Sequence, residues 1–238
     1  LKLPHYQKQL NIPQVLLLTA TATTGVIQDM QSKFNIAPES VVVTGFYRKN
    51  LDLAIQPCEQ ETKLETLCEV VNQAPQSPTI VYVTLQQTAE NVAQALRNVG
   101  INAIAYHAGL KPENRDAIQQ QFMSDEISCI VATIAFGMGV DKSNIRRVIH
   151  FDLPKSIENY SQEIGRAGRD GQNSECILLA NKHGLSTLEN FVFGDTPDNI
   201  AIQTVLQEIY ACQPSGNTYA TQWEIMLNQL SRESNIRQ

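Results

Sequence analysis

Ile127-Ser128-Cys129-Ile130-Val131-Ala132-Thr133-Ile134-Ala135-Phe136-Gly137-Met138-Gly139-Val140-Asp141-Lys142 is the stretch on which the fold turns. Its first half is a nearly continuous apolar run, which fits a strand in a sheet covered on both faces. Its second half passes through a glycine corner into Val140-Asp141. Outward from it, helices are predicted near 60–74, 87–99, 112–124 and 156–165, and strands near 79–83, 103–106, 146–151 and 174–180. A connector from Gly45 leads into a further strand at 51–56. Strands alternating with helices of about 10–15 residues imply parallel βαβ crossovers. Residues 45–181 therefore read as one complete α/β domain.

The flanks read differently. Upstream, Val15–Leu18 and Val41–Val43 are predicted strands around a helix over 24–34, with Thr23 as its N-cap. Two strands and a helix bury little core, so residues 1–44 are expected to be the tail of a preceding domain and the chain a fragment. Downstream, 182–193 and 197–212 read as helices, the second opened by Pro197 after Thr196. A Pro/Gly/Ser linker over 213–217 precedes a capping-box pattern at Thr221 and Glu224 and helically spaced Trp223, Met226, Leu227 and Leu230. Residues 213–238 thus hold a linker and either the start of a truncated winged helix or a plain helical tail.

At 42% hydrophobic and 18% charged, the 238 residues suit a soluble globular protein. The net charge of −6 and a pI near 5.2 argue against a nucleic-acid coat protein. They leave room for a few local phosphate contacts. No apolar run reaches membrane length and no secretory leader is present, so the chain is expected neither to span a membrane nor to be secreted. Cys58, Cys68, Cys129, Cys176 and Cys212 are dispersed, with no C-x-x-C pair. No metal site is expected, and Cys129 and Cys176 read as buried small hydrophobes in a reducing compartment.

Gln162-Glu163-Ile164-Gly165-Arg166-Ala167-Gly168-Arg169-Asp170-Gly171 closes the last predicted helix. At about 100° per residue, Gln162, Arg166 and Arg169 share one helical face and would converge on a single ligand. A guanidinium is a fixed fork of donors suited to phosphate oxygens. Gly165 and Gly168 each cost a helix about 1 kcal/mol relative to alanine, so their small size should serve something. Alone, the stretch also fits an exposed arginine-rich helix end before a Gly171 turn. Thr84 and Thr133 each follow a strand and are expected to open a helix, Thr84 in a capping-box pattern with Gln87. Helix starts offer free N–H donors to a phosphate, although both threonines also fit ordinary N-caps. His107-Ala108-Gly109-Leu110 lies between a strand and Pro112. Gly109 allows a close backbone approach, while a loop histidine is otherwise a polar surface residue.

Leu18-Thr19-Ala20-Thr21-Ala22, the strand end at Thr84, Tyr106–Leu110, Ala132–Lys142 and the arginine stretch follow one another in an order that resembles a helicase. The likeness is to the C-terminal half of a superfamily 2 motor, and most closely to the RecQ family of DNA helicases. It covers about residues 15–180, and the last two motifs are the specific ones. Gln162 ahead of Gly-Arg-Ala-Gly-Arg-Asp-Gly resembles RecQ, whereas DEAD-box RNA helicases usually open that motif with His-Arg. The resemblance implies a RecA-like fold for 45–181. It also implies ATP and Mg²⁺ in the full-length enzyme, and 3′-to-5′ DNA unwinding in repair and recombination. Single-stranded DNA, a duplex junction and an N-terminal motor lobe would be the partners. The setting would be cytoplasmic, and nucleoid-associated in a bacterium.

By the same resemblance, Arg169 is the arginine finger on the γ-phosphate. Arg166 would be its partner on nucleotide phosphates or on carboxylates of the opposing lobe, and Gln162 would orient them or the attacking water. Gly139 and Asp141 would lie at the interdomain cleft, with Asp141 accepting from a ribose; the alternative is a turn aspartate. Thr84, Thr133, His107 and Gly109 would face the translocated strand, although Thr84 lacks the preceding Asn or following Arg common in the family. Arg48 and Asn50 fall in the domain-joining segment, where they would contact nucleic acid, pin the hinge, or belong to a solvated connector.

No G-x-x-x-x-G-K-[ST] loop and no Asp-Glu-x-His occur in the sequence. The chain by itself is therefore expected not to hydrolyse ATP. Many RecQ proteins carry a four-cysteine zinc module after the motor. Here only Cys212 lies beyond Cys176, so no structural zinc is expected and the region 182–212 stands in its place. Two other readings stay open: an RNA-directed superfamily 2 helicase, which Gln162 argues against, and a non-catalytic nucleic-acid-binding adaptor.

Overall fold

Three central segments are buried along their whole length, and they build the middle of the sheet. The computed structural model describes residues 2–181 apart from 20, 44, 46 and 138, with isolated positions between 184 and 207. The elements are α1 (Leu3–Gln9), α2 (Thr24–Phe34), β1 (Leu51–Pro57), α3 (Lys63–Asn72), β2 (Thr79–Tyr82), α4 (Gln86–Asn98), β3 (Ala103–Tyr106), α5 (Pro112–Met123), β4 (Cys129–Ala132), β5 (Arg147–His150), α6 (Ile157–Ile164) and β6 (Ser174–Ala180). The strands form one parallel sheet in the order β1-β6-β5-β2-β4-β3. In register, Val81 stands between Val131 and Ile149. All residues of β2, β4 and β5 are buried, including the non-apolar Arg147 and His150.

Side chains alternate across the strands and feed two cores. On one face, Leu67, Val71, Val92 and Leu96 of α3 and α4 pack on Val81, Val131 and Ile149. On the other, Ile118 and Phe122 of α5, with Phe136 and Ile145, pack on Ile80, Tyr82, Ile130 and Val148. Each such side chain contributes about 1.5–3 kcal/mol when fully buried. This two-sided cover is what the near-continuous apolar strands called for.

Thr23 caps α2 as expected, its hydroxyl accepting from the Val26 N–H at 3.4 Å. Two expectations upstream are corrected. Val15–Leu18 and Val41–Val43 form no strand. A strand needs a ladder partner, and among the described residues none of the six strands pairs with either run. Leu16, Leu18 and Val42 stand at least 80% exposed. The helices, linker and winged helix expected over 182–238 lie outside the described residues, apart from isolated positions.

Cys129 and Cys176 are buried small hydrophobes, and burial pushes both thiols up to about 12. The reactive thiolate is therefore nearly absent at pH 8. Iodoacetamide at pH 8 is expected to modify neither residue in the native protein and both after unfolding, read by peptide mass mapping. Equal rates in the two states would contradict this burial.

Candidate functional site

Helix α6 carries the site. Ser156 starts it, accepting from the Asn159 N–H at 3.2 Å, and Glu158 favours the positive end of the helix dipole. The helix stops at Ile164, which corrects the expectation that Gln162, Arg166 and Arg169 share a helical face. Turns follow instead: Ala167 N–H donates to the Ile164 carbonyl at 3.0 Å, and Gly168 N–H crosses to the Ile145 carbonyl at 2.9 Å. The bond to Ile145 is a tertiary one that no helical periodicity registers. The three side chains nevertheless line one groove of about 500 Å³, together with Thr21, Tyr47, Arg48 and Leu51. Gln162 donates to the Thr21 hydroxyl at 3.1 Å, joining the Thr19–Thr21 motif to the arginine stretch.

Arg166 donates through Nη1 to the Gly137 carbonyl, and its buried Nε has no partner. A Cβ on Gly137 would collide with Arg166 Nη2, so glycine is what lets the guanidinium sit there. Arg169 donates through Nη1 to the Val140 carbonyl at 3.1 Å and to Asp141 Oδ1 at 2.7 Å. The Asp141 side chain is 89% exposed and that of Arg169 35%. An ion pair this open is worth about 0–1 kcal/mol, little enough for a ligand oxygen to replace. Gly139, at φ +80°, forms the corner that turns Asp141 toward Arg169. Beneath the groove, burial raises the Tyr82 phenol well above its ordinary range; Arg166 pulls it back and Glu163 adds to the rise.

Arg48 and Asn50 hold the arginine segment from below. Arg48 Nη2 donates to the carbonyls of Ala167 at 3.1 Å and Gly168 at 2.6 Å. Asn50 Nδ2 donates to the carbonyls of Gly168 at 2.8 Å and Gln172 at 2.9 Å. What this pair holds is the backbone of the arginine segment.

The remaining candidates sit at the carboxyl ends of the strands, away from that groove. Thr84 and Thr133 line a pocket of about 170 Å³ with His150, Asp152 and Glu163. Neither opens a helix. Leu85 precedes α4 without a side-chain cap, and the Thr84 N–H donates to Asp152 Oδ2 at 2.8 Å, so the capping box does not form. Asp152 in turn faces Lys63, which is 3% exposed and lies over the Phe151 ring. After Thr133 the chain makes a turn, with the Phe136 N–H on the Thr133 carbonyl at 3.1 Å. His107 is buried and not a surface residue: its Nε2 lies 2.9 Å from Glu90, and its Nδ1 has no partner. A Cβ on Gly109 would collide with Gln86 Oε1. Sequence reasoning missed Asp152, His150 and Glu163. The only signal was a polar side chain at each strand end or inside a predicted helix. Among the described residues no group of three His, Cys, Asp or Glu could hold a metal ion, and no helix is long and apolar enough to cross a membrane.

The helicase conserved C-terminal domain matches residues 62–171. The ATP-dependent DNA helicase RecQ of Pasteurella multocida is 42% identical over 165 residues, 69% of this chain and 26% of that protein. RecQ of Bacillus subtilis is 42% identical over 167 residues, 70% of this chain and 28% of that protein. This chain carries a helicase C-terminal domain, and its sequence is RecQ-like. A putative ATP-dependent DNA helicase Q1 of Caenorhabditis elegans is 44% identical over 167 residues, 69% of this chain and 26% of that protein. The RecQ-like chain thus spans about a quarter of the length of these relatives. Its fold is shared with the E. coli DEAD-box protein SrmB (TM-score 0.53, 23% identity, 61% of this chain and 87% of that one). It is also shared with S. cerevisiae Dbp5 (TM-score 0.63, 20% identity, 82% of this chain and 55% of that one). The parallel sheet with flanking helices is RecA-like.

Proposed function

We propose that this chain is the second motor lobe of an ATP-dependent DNA helicase that couples hydrolysis to 3′-to-5′ strand translocation and unwinding. One observation carries the reading: Gln162, Arg166 and Arg169 converge with Thr21 in a single groove. The residues fit a nucleotide phosphate, because Arg166 holds a buried donor without a partner and Arg169 is tied only to backbone and to an open carboxylate. ATP with Mg²⁺, when bound between this lobe and an N-terminal motor lobe, supplies the phosphoryl group and part of its charge neutralisation. Arg169 would donate to phosphate oxygens, while Arg166 holds the groove wall at Gly137 and Gln162, bonded to Thr21, would orient the arginines. Gly139 and Asp141 form the cleft rim, where Asp141 can accept from a ribose hydroxyl. Thr84, Thr133, His107 and Gly109 stand on the side assigned to the DNA strand. Arg48 and Asn50 serve that strand indirectly, through the arginine segment. Single-stranded DNA and a duplex junction are the partners, in repair and recombination, with no structural zinc required of this chain.

The reading is tested by strand displacement with the full-length protein, comparing DNA and RNA tracking strands at equal ATP. Displacement on DNA alone supports it. Displacement on RNA alone would make it an RNA helicase, and none on either would favour a nucleic-acid-binding adaptor. The 238-residue chain by itself is expected to show no DNA-stimulated ATP turnover.

A further inference from the structure

The wall of the carboxyl-edge pocket includes a buried pair, one member of which, Glu163, adjoins Gln162 of the groove. His150, the last residue of β5, is fully buried, and its Nε2 lies 2.7 Å from Glu163 Oε2 on α6. Stability does not explain such a pair. Two apolar side chains of similar volume in its place are often neutral or stabilising, and here His150 Nδ1 is left without a partner. Its position offers another explanation.

The neighbours of the pair form a closed circuit. His150 is in register with Tyr82, and the two rings stack at 5.5 Å between centroids. Tyr160 of α6 closes on the other side of His150 at 5.0 Å. The Tyr82 hydroxyl donates to the Phe136 carbonyl at 3.3 Å, and the next carbonyl, Gly137, accepts from Arg166. Thr133 begins the same turn, its carbonyl accepting from the Phe136 N–H. From Glu163 the chain leads back to Gln162 within α6 and on through the turn after Ile164 to Arg166. The Thr133–Gly137 turn is thus bonded both to the tip of β2 and to the arginine segment, and the His150–Glu163 contact fastens α6 to that tip.

We propose that Glu163, held by His150, is a positioning residue that transmits the state of the Thr84–Thr133 pocket to Arg166 and Gln162. A phosphate seated at Thr133 shifts the turn that carries Gly137. With the pair intact, the turn, Tyr82 and α6 move as one packed body, and the arginines follow. Without it, α6 loses its hydrogen bond to the tip of β5, and the turn moves without the helix. Chains of packed side chains and hydrogen bonds can carry coupling of this kind, and the circuit forms such a chain between the two sites. The inference rests on the motor reading above.

The test uses the full-length helicase and reads the ratio of DNA-stimulated to basal ATP turnover beside the affinity for single-stranded DNA. Glu163→Ala leaves His150 with a bare buried nitrogen and risks misfolding, so the decisive variant is the double replacement His150→Leu with Glu163→Leu. Removing both polar partners together leaves no buried group unpaired. The folded double variant is expected to lose about tenfold in the stimulation ratio, within the usual range for coupled sites. Because both residues also line the pocket, the ratio is read at saturating single-stranded DNA, where a change in affinity does not enter it, and Glu163→Gln, which keeps a hydrogen bond to His150, should recover most of the ratio. An unchanged ratio in the folded double variant overturns the proposal, as does an equal loss of turnover with and without DNA. Arg169→Ala, run in parallel, separates the two readings. If it retains turnover the motor assignment fails. If it does not, an unchanged ratio in the double variant removes only the coupling.

Discussion

DNA-stimulated ATP hydrolysis by the full-length protein is expected to fall by about 10³-fold or more when Arg169 is replaced by alanine, the range for loss of an arginine finger. Affinity for single-stranded DNA should be largely retained, because Thr84 and Thr133 line a different pocket. Folding should survive as well. The truncation removes an ion pair to an exposed Asp141, worth about 0–1 kcal/mol, and a bond to one backbone carbonyl. Arg169→Lys should restore little, since an ammonium is a point charge without the planar fork. Steady-state turnover at saturating DNA, beside fluorescence anisotropy for binding, separates these effects. Turnover within a few-fold of the parent would remove Arg169 from the chemistry.

The second large effect is expected from Gly168→Ala. Gly168 adopts φ +55°, a left-handed conformation that costs an L-residue about 1–2 kcal/mol. A Cβ there would also meet Asn50 Nδ2 at 2.5 Å, the Gln172 carbonyl at 2.7 Å and Ser174 Oγ at 2.8 Å. The Gln172 oxygen is backbone and cannot swing aside, so the segment itself must move, at a further cost of about 1–3 kcal/mol for overpacking. In a chain of this size about 1 kcal/mol corresponds to roughly 2–4 °C in Tm. The variant should therefore melt several degrees lower and lose most DNA-stimulated turnover, because the displaced backbone carries Arg169. Gly137→Ala makes the useful contrast: the three atoms nearest its Cβ all belong to the far end of the Arg166 side chain and none to backbone. A Gly168→Ala protein with parental Tm and turnover would show that the segment has more freedom than its packing implies.

Much of this was legible in the order of residues. Strand runs such as Ile127–Ala132 announce burial on two faces, and the helices between them are amphipathic or punctuated by Pro112 and Ser156. The grouping of Gln162 with the two arginines was legible too, though for an inexact reason. Periodicity placed them on a helix that ends at Ile164, and what gathers them is a turn held by Ile145, Arg48 and Asn50. Thr84 failed as a cap for a similar cause. Its N–H is taken by Asp152, 68 residues away, and no local pattern reports a partner at that distance. Val15–Leu18 has a strand's composition without a strand's neighbour. Local chemistry predicts what an element prefers, and only the tertiary arrangement decides which groups are already taken.

Arg48 and Asn50 carry one more implication. Strand boundaries invite a cut just before Leu51, where the sheet begins. Such a cut would leave every strand in place and yet remove the clasp that grips the carbonyls of Ala167, Gly168 and Gln172. The shortened lobe would pass a test of secondary structure while its arginines wandered. The segment entering the sheet is therefore part of what shapes the groove, and a tug on that segment is felt first at Arg166 and Arg169.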